Sequence, residues 1–316
     1  MTAHKMEGAW SEEYRSHRYL RDVSDDEIRQ RGRDVFRNFM TINVEGKASP
    51  LPAEHERHNY WRMRLVHFLE ECAIRFGPYP SGLGLEFTDN LKFPNPNSER
   101  IARARKLCFT HKLVYGKYLV KYGKLEHLTS LLKDGVVRIS PASVFADISF
   151  NDAIQDTELA FTRYVYQPSY SDLKPHFSET ALRSYIPHAT AVITNTSKSD
   201  FYLFCLSASY DIRLYDDFDA EACILITDPV TFANRLLWTV RSELDTSGHS
   251  FCPVDYIDPF TETASGIHVA HRKHARYAYQ DELRAAWLPK AKSIPLRVHF
   301  VTLGNLEDIA KLILLK

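Results

Sequence analysis

The first third of the chain carries apolar residues at helical spacing among many charges. Ser24 followed by Glu27 is a capping-box pattern, which predicts a helix over residues 25–40. A second helix is predicted from about residue 53, because apolar residues recur there every three to four positions. These apolar residues are Trp61, Leu65, Phe68, Leu69, Cys72 and Ile74. A third helix is predicted over residues 98–107.

Beyond residue 115 the pattern changes to short runs of β-branched and aromatic residues, which are typical of strands. The predicted strands cover residues 118–122, 136–139, 202–206, 223–226, 277–279 and 296–301. Helical spacing recurs at residues 124–132, 229–237 and 306–315. Because helices interrupt the strands without a strict βαβ alternation, we predict an α+β fold. The predicted division is a helical N-terminal region, residues 1–110, and a sheet-containing domain, residues 111–316.

Composition adds little to this picture. The chain has 316 residues, 44% hydrophobic and 25% charged, as in an ordinary globular protein. Lys plus Arg and Asp plus Glu both number 40, so net charge favours neither nucleic acid nor membrane as a partner. The five cysteines are widely spaced without a Cys-x-x-Cys pair, which favours reduced thiols. Since no segment reaches the roughly 18 apolar residues of a membrane span, we expect a cytoplasmic protein.

A predicted strand, helix and strand occupy residues 118–147, and the first strand ends in Lys121-Tyr122-Gly123. The helix ends in Leu-Leu-Lys-Asp-Gly, and a Ser-Pro-x-x-x-Phe loop follows the second strand. This unit resembles the opening of ADP-ribosyltransferase-like bacterial proteins, where an Arg or His at the end of the first strand contacts NAD. The resemblance implies that Lys121 and Tyr122 bind NAD. Lys121 would supply a point charge to the pyrophosphate without the bidentate fork of Arg.

The run Cys-Leu-Ser-Ala-Ser, residues 205–209, ends a later predicted strand. It resembles the Ser-Thr-Ser element of the same superfamily, in which the first serine orients the catalytic glutamate. The resemblance implies this role for Ser207 and a place beside the cofactor for Ser209. It also implies that Tyr215, or Tyr210 before it, stacks on nicotinamide. Ordinary packing of the two serines along a strand is the alternative.

Gln280-Asp281-Glu282 follows a short aromatic run and resembles the Gln/Glu-x-Glu motif near the C-terminal end of that fold. Loss of nicotinamide from NAD develops oxocarbenium character on the ribose, and a carboxylate stabilises that charge. The resemblance implies that Glu282 is this carboxylate. Gln280, expected on the same strand face, would orient the acceptor. The alternative places Glu282 and Arg284 on an exposed strand face with salt bridges between strands.

Together the motifs imply an ADP-ribosyltransferase-like split β-sheet core over residues 111–316. The implied activity is an NAD-dependent mono-ADP-ribosyltransferase with a nucleic acid or protein acceptor. Bacterial members of this kind act as toxins or phage-defence effectors, so an inhibitory partner or antitoxin is also implied. Two alternatives stay open. One is a nucleic-acid-binding protein on a catalytically degenerate transferase scaffold, and the other is an NAD glycohydrolase.

Two segments suggest metal ligands at first sight. The acidic loop over residues 150–158 lacks the glycine-pivoted spacing of a calcium loop. In the resembled family a Phe-Asn-Asp-like loop borders the cleft, which implies that Phe150 and Asn151 line the cofactor site, with Asp156 as further wall. The His-x-x-His-x-x-His run over residues 268–274 contains two cations that oppose zinc binding. We therefore expect no metal there, but a basic loop that contacts an anionic acceptor.

Positive charge is concentrated over residues 99–124, where eight basic residues accompany a single acid, Glu99. Aromatic residues are interleaved with them, so the segment could follow a nucleic-acid backbone while its rings stack on bases. A solvated helix face is the alternative. The residues predicted to contact nucleic acid are Arg103, Arg105, Lys106 and Lys112.

Overall fold

The structure of the protein, a computed structural model, describes most of the chain. The described residues are 3–77, 93–111, 113, 118–147, 149, 153–166, 190–261, 268–290 and 295–315. Within them, no helix is long and apolar enough to cross a membrane.

The N-terminal region contains helices and one small hairpin. Its elements are α1 (Ala3–Ser16), α2 (Asp25–Phe39), β1 (Met40–Ile42), β2 (Ala48–Pro50), α3 (His58–Phe76) and α4 (Glu99–His111). The capping box of α2 is confirmed, because the Ser24 hydroxyl accepts from the Glu27 N–H and the Ser24 N–H donates to the Glu27 carboxylate. Helix α3 begins at His58, later than predicted, and its N-cap residue Arg57 makes no side-chain capping bond.

The rest of the chain supplies twelve strands and three α-helices within the described residues. The strands are β3 (Leu119–Gly123), β4 (Val136–Pro141), β5 (Ala160–Tyr166), β6 (Thr190–Thr196), β7 (Tyr202–Ser207), β8 (Ala222–Ile226), β9 (Thr246–Pro253), β10 (Asp255–Ile257), β11 (Arg272–His274), β12 (Glu282–Pro289), β13 (His299–Thr302) and β14 (Ala310–Leu314). The helices are α5 (Leu125–Lys133), α6 (Leu214–Asp217) and α7 (Pro229–Glu243).

Eight of these strands form one antiparallel sheet, and β7 lies at its centre. One edge of β7 pairs with β12 along its whole length, from Trp287↔Tyr202 to Glu282↔Ser207, and β12 pairs in turn with β9. Two strands, β4 and β3, share the other edge of β7. Strand β4, followed by β13, pairs with the start of β7, whereas β3, followed by β8 and β14, pairs with its end at Ser207. The sheet therefore divides beside β7, and the α+β prediction is confirmed.

The sheet carries one apolar core under α5 and α7, which includes Leu128, Phe232, Leu236 and Trp287. The N-terminal region shares further cores with the C-terminal part. Ile101 and Ala104 of α4 pack with residues of β3, α6 and β8. In α2 and α3, Val35 and Trp61 pack with Ala275 and Ala278. Residues before 111 therefore complete the interior of the sheet domain.

Three predicted elements differ from the structure. Residues 277–279 belong to the 3-10 turn Ala275–Gln280, not to a strand. The strand predicted over residues 296–301 begins at His299. The helix predicted over residues 306–315 is wrong, because Ala310–Leu314 forms β14. Its short apolar run satisfies either spacing, and antiparallel pairing with β8 decides in favour of a strand.

A buried ion pair joins the helices to the sheet domain. Asp258 is fully buried, and its Oδ2 lies 3.0 Å from Arg64 Nε of α3. Arg31 Nη2 of α2 contacts the same oxygen. Burial raises the pKa of Asp258, but Arg31 and Arg64 outweigh burial and lower it. One charged carboxylate therefore holds two helices.

We expect Asp258→Asn to lower the free energy of unfolding by about 3–5 kcal/mol, since it leaves two buried guanidinium groups without their anion. Urea unfolding at neutral pH measures this. As a matched control, Asp245→Asn removes the exposed partner of Lys290 and costs under about 1 kcal/mol. Equal, small losses in both variants would mean that apolar packing alone holds α2 and α3 in place.

Candidate functional site

A cleft of about 550 Å³ lies where the sheet divides beside β7. Residues from three of the sequence motifs line it together, although the motifs are far apart in the chain. These residues are Lys121, Tyr122, Ser207, Gln280 and Glu282. The segment before β5 adds Ala153, Ile154 and Glu158, and α5 adds His127.

Glu282 and Ser207 are direct neighbours across two strands. They face each other in the antiparallel register of β12 and β7. Both side chains are largely buried, Ser207 at 4% and Glu282 at 7% exposure. The backbone N–H of Glu282 donates to the Tyr256 hydroxyl at 2.7 Å, which fixes the first residue of β12.

Cations hold both oxygens of the Glu282 carboxylate. Arg284 Nε donates to Oε1 at 2.6 Å, and Lys273 Nζ donates to Oε2 at 2.9 Å. The other end of Arg284 makes a bidentate pair with Glu158, at 2.6 and 2.7 Å. We call Glu158, Lys273, Glu282 and Arg284 the ion cluster. All four are at least nine-tenths buried, so the exposed strand face considered for Glu282 and Arg284 is wrong.

The ion cluster fixes the protonation of Glu282 and Lys273. Burial alone would raise the pKa of Glu282, but the charges of Arg284 and Lys273 outweigh burial and hold the pKa well below its ordinary value. Burial alone would lower the pKa of Lys273, but Glu282 and Glu158 raise it instead. Glu282 is therefore an anion at neutral pH. It supplies a fixed negative charge to the cleft and no proton.

Gln280 reaches the cleft by a different route from the one predicted. It ends the 3-10 turn, and Asp281 then adopts the left-handed conformation with φ 45° and ψ 56°. Gln280 and Glu282 are therefore not alternate residues of one strand. Lys273 Nζ joins them instead, because it also donates to Gln280 Oε1 at 3.0 Å. Gln280 Nε2 donates to the Ala153 carbonyl at 2.7 Å, which fixes the amide orientation.

Lys121 and Tyr122 line the cleft, and protein groups bind their polar ends. Lys121 Nζ donates to the Cys205 carbonyl at 2.7 Å and lies 4.8 Å from the centre of the Phe204 ring. The Tyr122 hydroxyl donates to the Asp211 carbonyl at 3.1 Å and accepts from the Asp211 N–H at 2.8 Å. Lys121 thus bridges β3 to β7 at the point where the sheet divides.

Ser209 and Tyr215 are not among the residues that line the cleft. Ser209 is half-buried beyond the end of β7. Tyr215 is completely buried in the core formed with α4, and its hydroxyl lies 3.1 Å from Cys223 Sγ. Tyr210 is buried in the same core. The prediction that Tyr215 or Tyr210 stacks on nicotinamide is therefore wrong, because apolar packing holds both rings inside.

The predicted nucleic-acid contacts lie on the outer face of α4. Arg103, Arg105 and Lys106 are exposed. Arg103 pairs with Glu99 one turn earlier, and Arg105 Nη1 donates to the Glu45 carbonyl at 2.8 Å. Contact with nucleic acid stays a prediction. Lys112, Phe150 and Asn151 lie outside the described residues.

The histidine run has a local structural role. The rings of His268 and His274 accept the N–H of the residue two positions on, at 3.2 and 3.0 Å, and so begin the two 3-10 turns. His271 Nε2 lies 2.6 Å from Ser250 Oγ. Lys273, expected in a basic loop, is buried in the ion cluster. Across the part of the chain that the structure describes, no three His, Cys, Asp or Glu side chains are placed to hold a metal ion.

Sequence reasoning missed Lys273 and Glu158 as parts of the site. Glu158 and Arg284 are 126 positions apart, so no local pattern links them. The local signal for Lys273 is its place in the short strand β11, where it is buried between half-buried Arg272 and His274. This alternation of burial can be recognised only once β11 is known to be a strand that pairs with β10.

No protein-family profile, curated protein or solved structure matches this chain. The likeness to ADP-ribosyltransferases therefore depends on the motifs and on the geometry of the cleft.

Acid should weaken the fold through His271. Burial, with Arg284 and then His268, lowers the pKa of His271 to about 4. An unfolded histidine titrates near 6.5, so the neutral ring stabilises the fold above about pH 6.5, and this contribution is lost between about pH 6.5 and 4. We expect His271→Gln to reduce the fall in unfolding free energy between pH 7 and 4.5, measured by urea titration. An unchanged slope would contradict this role.

Proposed function

We propose that this protein is an NAD-dependent mono-ADP-ribosyltransferase acting on a nucleic acid or protein. The observation that carries the proposal is the meeting of Lys121, Ser207 and Glu282 in one cleft, at the division of an antiparallel sheet. These residues come from three motifs in the order expected of the superfamily. A split β-sheet core of this kind is also what the resemblance implies.

The proposed reaction breaks the bond between C1′ of the ribose and the nicotinamide nitrogen, and the electron pair leaves with nicotinamide. Positive charge develops on the ribose, and the ionised Glu282 stabilises it. The acceptor then attacks C1′ and releases a proton to solvent. Since Glu282 carries no proton at neutral pH, its role is electrostatic. Gln280 orients the acceptor, and Ser207 supports Glu282 from the adjacent strand.

The ion cluster is compatible with this role. A carboxylate has about four lone-pair positions, so two cationic donors leave room for a ribose hydroxyl. Lys273 and Arg284 would hold Glu282 at a fixed position before NAD binds. A preorganised charge of this kind needs no rearrangement during the reaction.

The cellular setting of the enzyme is part of the same proposal. All five cysteines are free thiols, as is ordinary for a cytoplasmic protein. A toxin or phage-defence effector that consumes NAD needs restraint in its own cell, so an inhibitory partner or antitoxin is part of the proposal. The N-terminal helices would recognise the target or that partner.

We expect purified protein to release nicotinamide from NAD when RNA, DNA or cell lysate supplies the acceptor. Glu282→Gln should lower the rate about 100- to 1,000-fold, the usual cost of removing one preorganised electrostatic group. Chromatography of nicotinamide measures the rate. Mass added to the acceptor marks a transferase, whereas free ADP-ribose alone marks the alternative NAD glycohydrolase.

Glu71→Gln is the matched control for this experiment. Glu71 is also fully buried, and Arg18 and Arg75 bind it, but it belongs to α3, faces Tyr14 of α1 and does not line the cleft. Both variants should unfold more easily, and only Glu282→Gln should lose nicotinamide release. Loss in both variants, or in neither, would count against a chemical role for Glu282.

A second candidate function is nucleic-acid binding on a catalytically inactive scaffold. It is supported by Lys121, whose Nζ is already bound to the Cys205 carbonyl, and by the exposed cations of α4. An exposed basic helix face binds the phosphate backbone without sequence preference.

In that case, changing Arg103, Arg105 and Lys106 to Ala together should reduce the slope of log affinity against log salt by about 2 to 3. Filter binding to single-stranded RNA at several salt concentrations measures the slope. The control changes three other exposed cations, Arg241, Lys290 and Lys311, to Ala. An equal reduction in the control would mean that overall charge, and not the α4 face, governs binding.

A further inference from the structure

The 3-10 turn Ala275–Gln280 carries its last residue to the cleft, and the N-terminal helices pack against it. We call it the Gln280 turn. Ala275 and Ala278 lie three positions apart and therefore on one side of the turn, because a 3-10 helix has three residues per turn. Both alanines are buried and pack with Val35 of α2 and Trp61 of α3. Their small side chains allow the two helices to approach the backbone of the turn.

Asn38 of α2 binds the backbone of the Gln280 turn at two points. Its Nδ2 donates to the Arg276 carbonyl at 2.9 Å, and its Oδ1 accepts from the Tyr279 N–H at 2.9 Å. Nδ2 also donates to the Asp34 carbonyl, one turn earlier in α2, at 2.8 Å. Asn38 is only 2% exposed and lies three positions after Val35, on the same helix face. This buried amide therefore joins α2 to both halves of the turn.

Arg57 binds the same turn from the start of α3. Its Nη1 donates to the Ala278 carbonyl at 2.6 Å, and its Nη2 lies 3.5 Å from Asp281 Oδ1. The guanidinium group also lies over the Tyr256 ring, 5.2 Å from the ring centre. Arg57 makes no side-chain capping bond to α3. The closest polar contact of its side chain is thus with the turn and not with its own helix.

The Tyr279 side chain connects these contacts to Gln280. Arg213 and Arg37 both lie over the Tyr279 ring, 3.7 and 4.8 Å from its centre, where the ring attracts a cation. Gln280 Nε2 donates to the Tyr279 hydroxyl at 3.3 Å, as well as to the Ala153 carbonyl. Since Arg37 and Asn38 belong to α2, this helix contacts both the ring and the backbone of the residue before Gln280.

We propose that Asn38 and Arg57 are positioning residues that fix Gln280, and so determine whether ADP-ribose passes to the acceptor or to water. The inference rests on the proposed function, in which Gln280 orients the acceptor. When water attacks instead, the new bond forms between C1′ and the water oxygen, a proton goes to solvent, and free ADP-ribose is the product. The ion cluster holds Glu282 separately, so loss of nicotinamide depends less on the turn.

Amide hydrogen exchange of the full-length protein, read by mass spectrometry over residues 275–281, tests the positioning without reference to activity. Asn38→Asp places a carboxylate oxygen against the two carbonyls that the amide binds, and Arg57→Gln removes the guanidinium group from the Ala278 carbonyl. We expect exchange in the turn to rise about tenfold or more in each variant, because local opening exposes its N–H groups. The Arg57 side chain is 27% exposed, so Arg57→Gln decides the matter if Asn38→Asp does not fold.

Arg62→Gln is the matched control. Arg62 also belongs to α3, its side chain is 28% exposed against 27% for Arg57, and its acidic partner is Glu7 of α1. This variant should leave exchange in the Gln280 turn and both products of the reaction unchanged. Exchange that rises equally in Arg62→Gln and Arg57→Gln would mean that α3 loosens as a whole, and would overturn the inference.

The second measurement is the ratio of label on the acceptor to free ADP-ribose. It uses NAD labelled in the adenine, with single-stranded RNA, single-stranded DNA or cell lysate as the acceptor. We expect this ratio to fall about tenfold in Asn38→Asp and Arg57→Gln, as in Gln280→Ala, because a misplaced group no longer orients the acceptor. Nicotinamide release should fall less. A general loss of folded protein would instead lower both products together and leave the ratio unchanged.

The outcomes separate this inference from the proposed function. If the wild-type protein modifies an acceptor, an unchanged ratio in both variants, or unchanged exchange in both, would overturn the inference and leave the proposed function standing. If the wild-type protein releases no nicotinamide, or yields free ADP-ribose alone, the proposed function itself is wrong and the inference is wrong with it.

Discussion

A carboxylate stays ionised inside a protein only where cations hold it, and the site of this protein depends on that constraint. Arg284 and Lys273 bind the two oxygens of Glu282, and Glu158 binds the other end of Arg284. The ion cluster thereby joins β12, β11 and the segment before β5. It also fixes Gln280 through Lys273. The ion cluster thus keeps Glu282 charged, as a transferase would need, and also packs these three segments together.

The division of the sheet beside β7 places the cleft. Since β4 pairs with the start of β7 and β3 with its end, the two neighbours diverge and leave a space lined by strand residues. Lys121 bridges that division to the Cys205 carbonyl, and Ser207 ends β7 opposite Glu282. Rigid strands thus position the groups that face the cleft, whereas the side of the cleft formed by Ala153 and Ile154 comes from a connecting segment.

The N-terminal helices are part of the same structure and carry unusual buried charge. Arg31 and Arg64 meet at Asp258, and Arg213 donates to the carbonyl of Arg37 at the end of α2. Charged contacts of this kind require accurate geometry, because a displaced partner leaves an isolated buried charge. Asp258 directly follows β10, and β10 pairs with β11, so its contact with Arg31 joins α2 to the strand that carries Lys273. Lys273 in turn lines the cleft beside β7 together with Glu158.

Local patterns in the sequence determined the α+β class, the capping box of α2 and strands such as β3, β7 and β8, since spacing and caps act over a few residues. The resemblance of three motifs to ADP-ribosyltransferases singled out Lys121, Ser207 and Glu282, which share one cleft. Tertiary structure decided the rest. Pairing with β8 made β14 a strand, and apolar packing buried Tyr215 in the core. The left-handed conformation of Asp281 placed Gln280 outside the strand that contains Glu282. The second partner of Arg284 was beyond local patterns, because Glu158 meets Arg284 only after strands distant in sequence have paired and buried both charges.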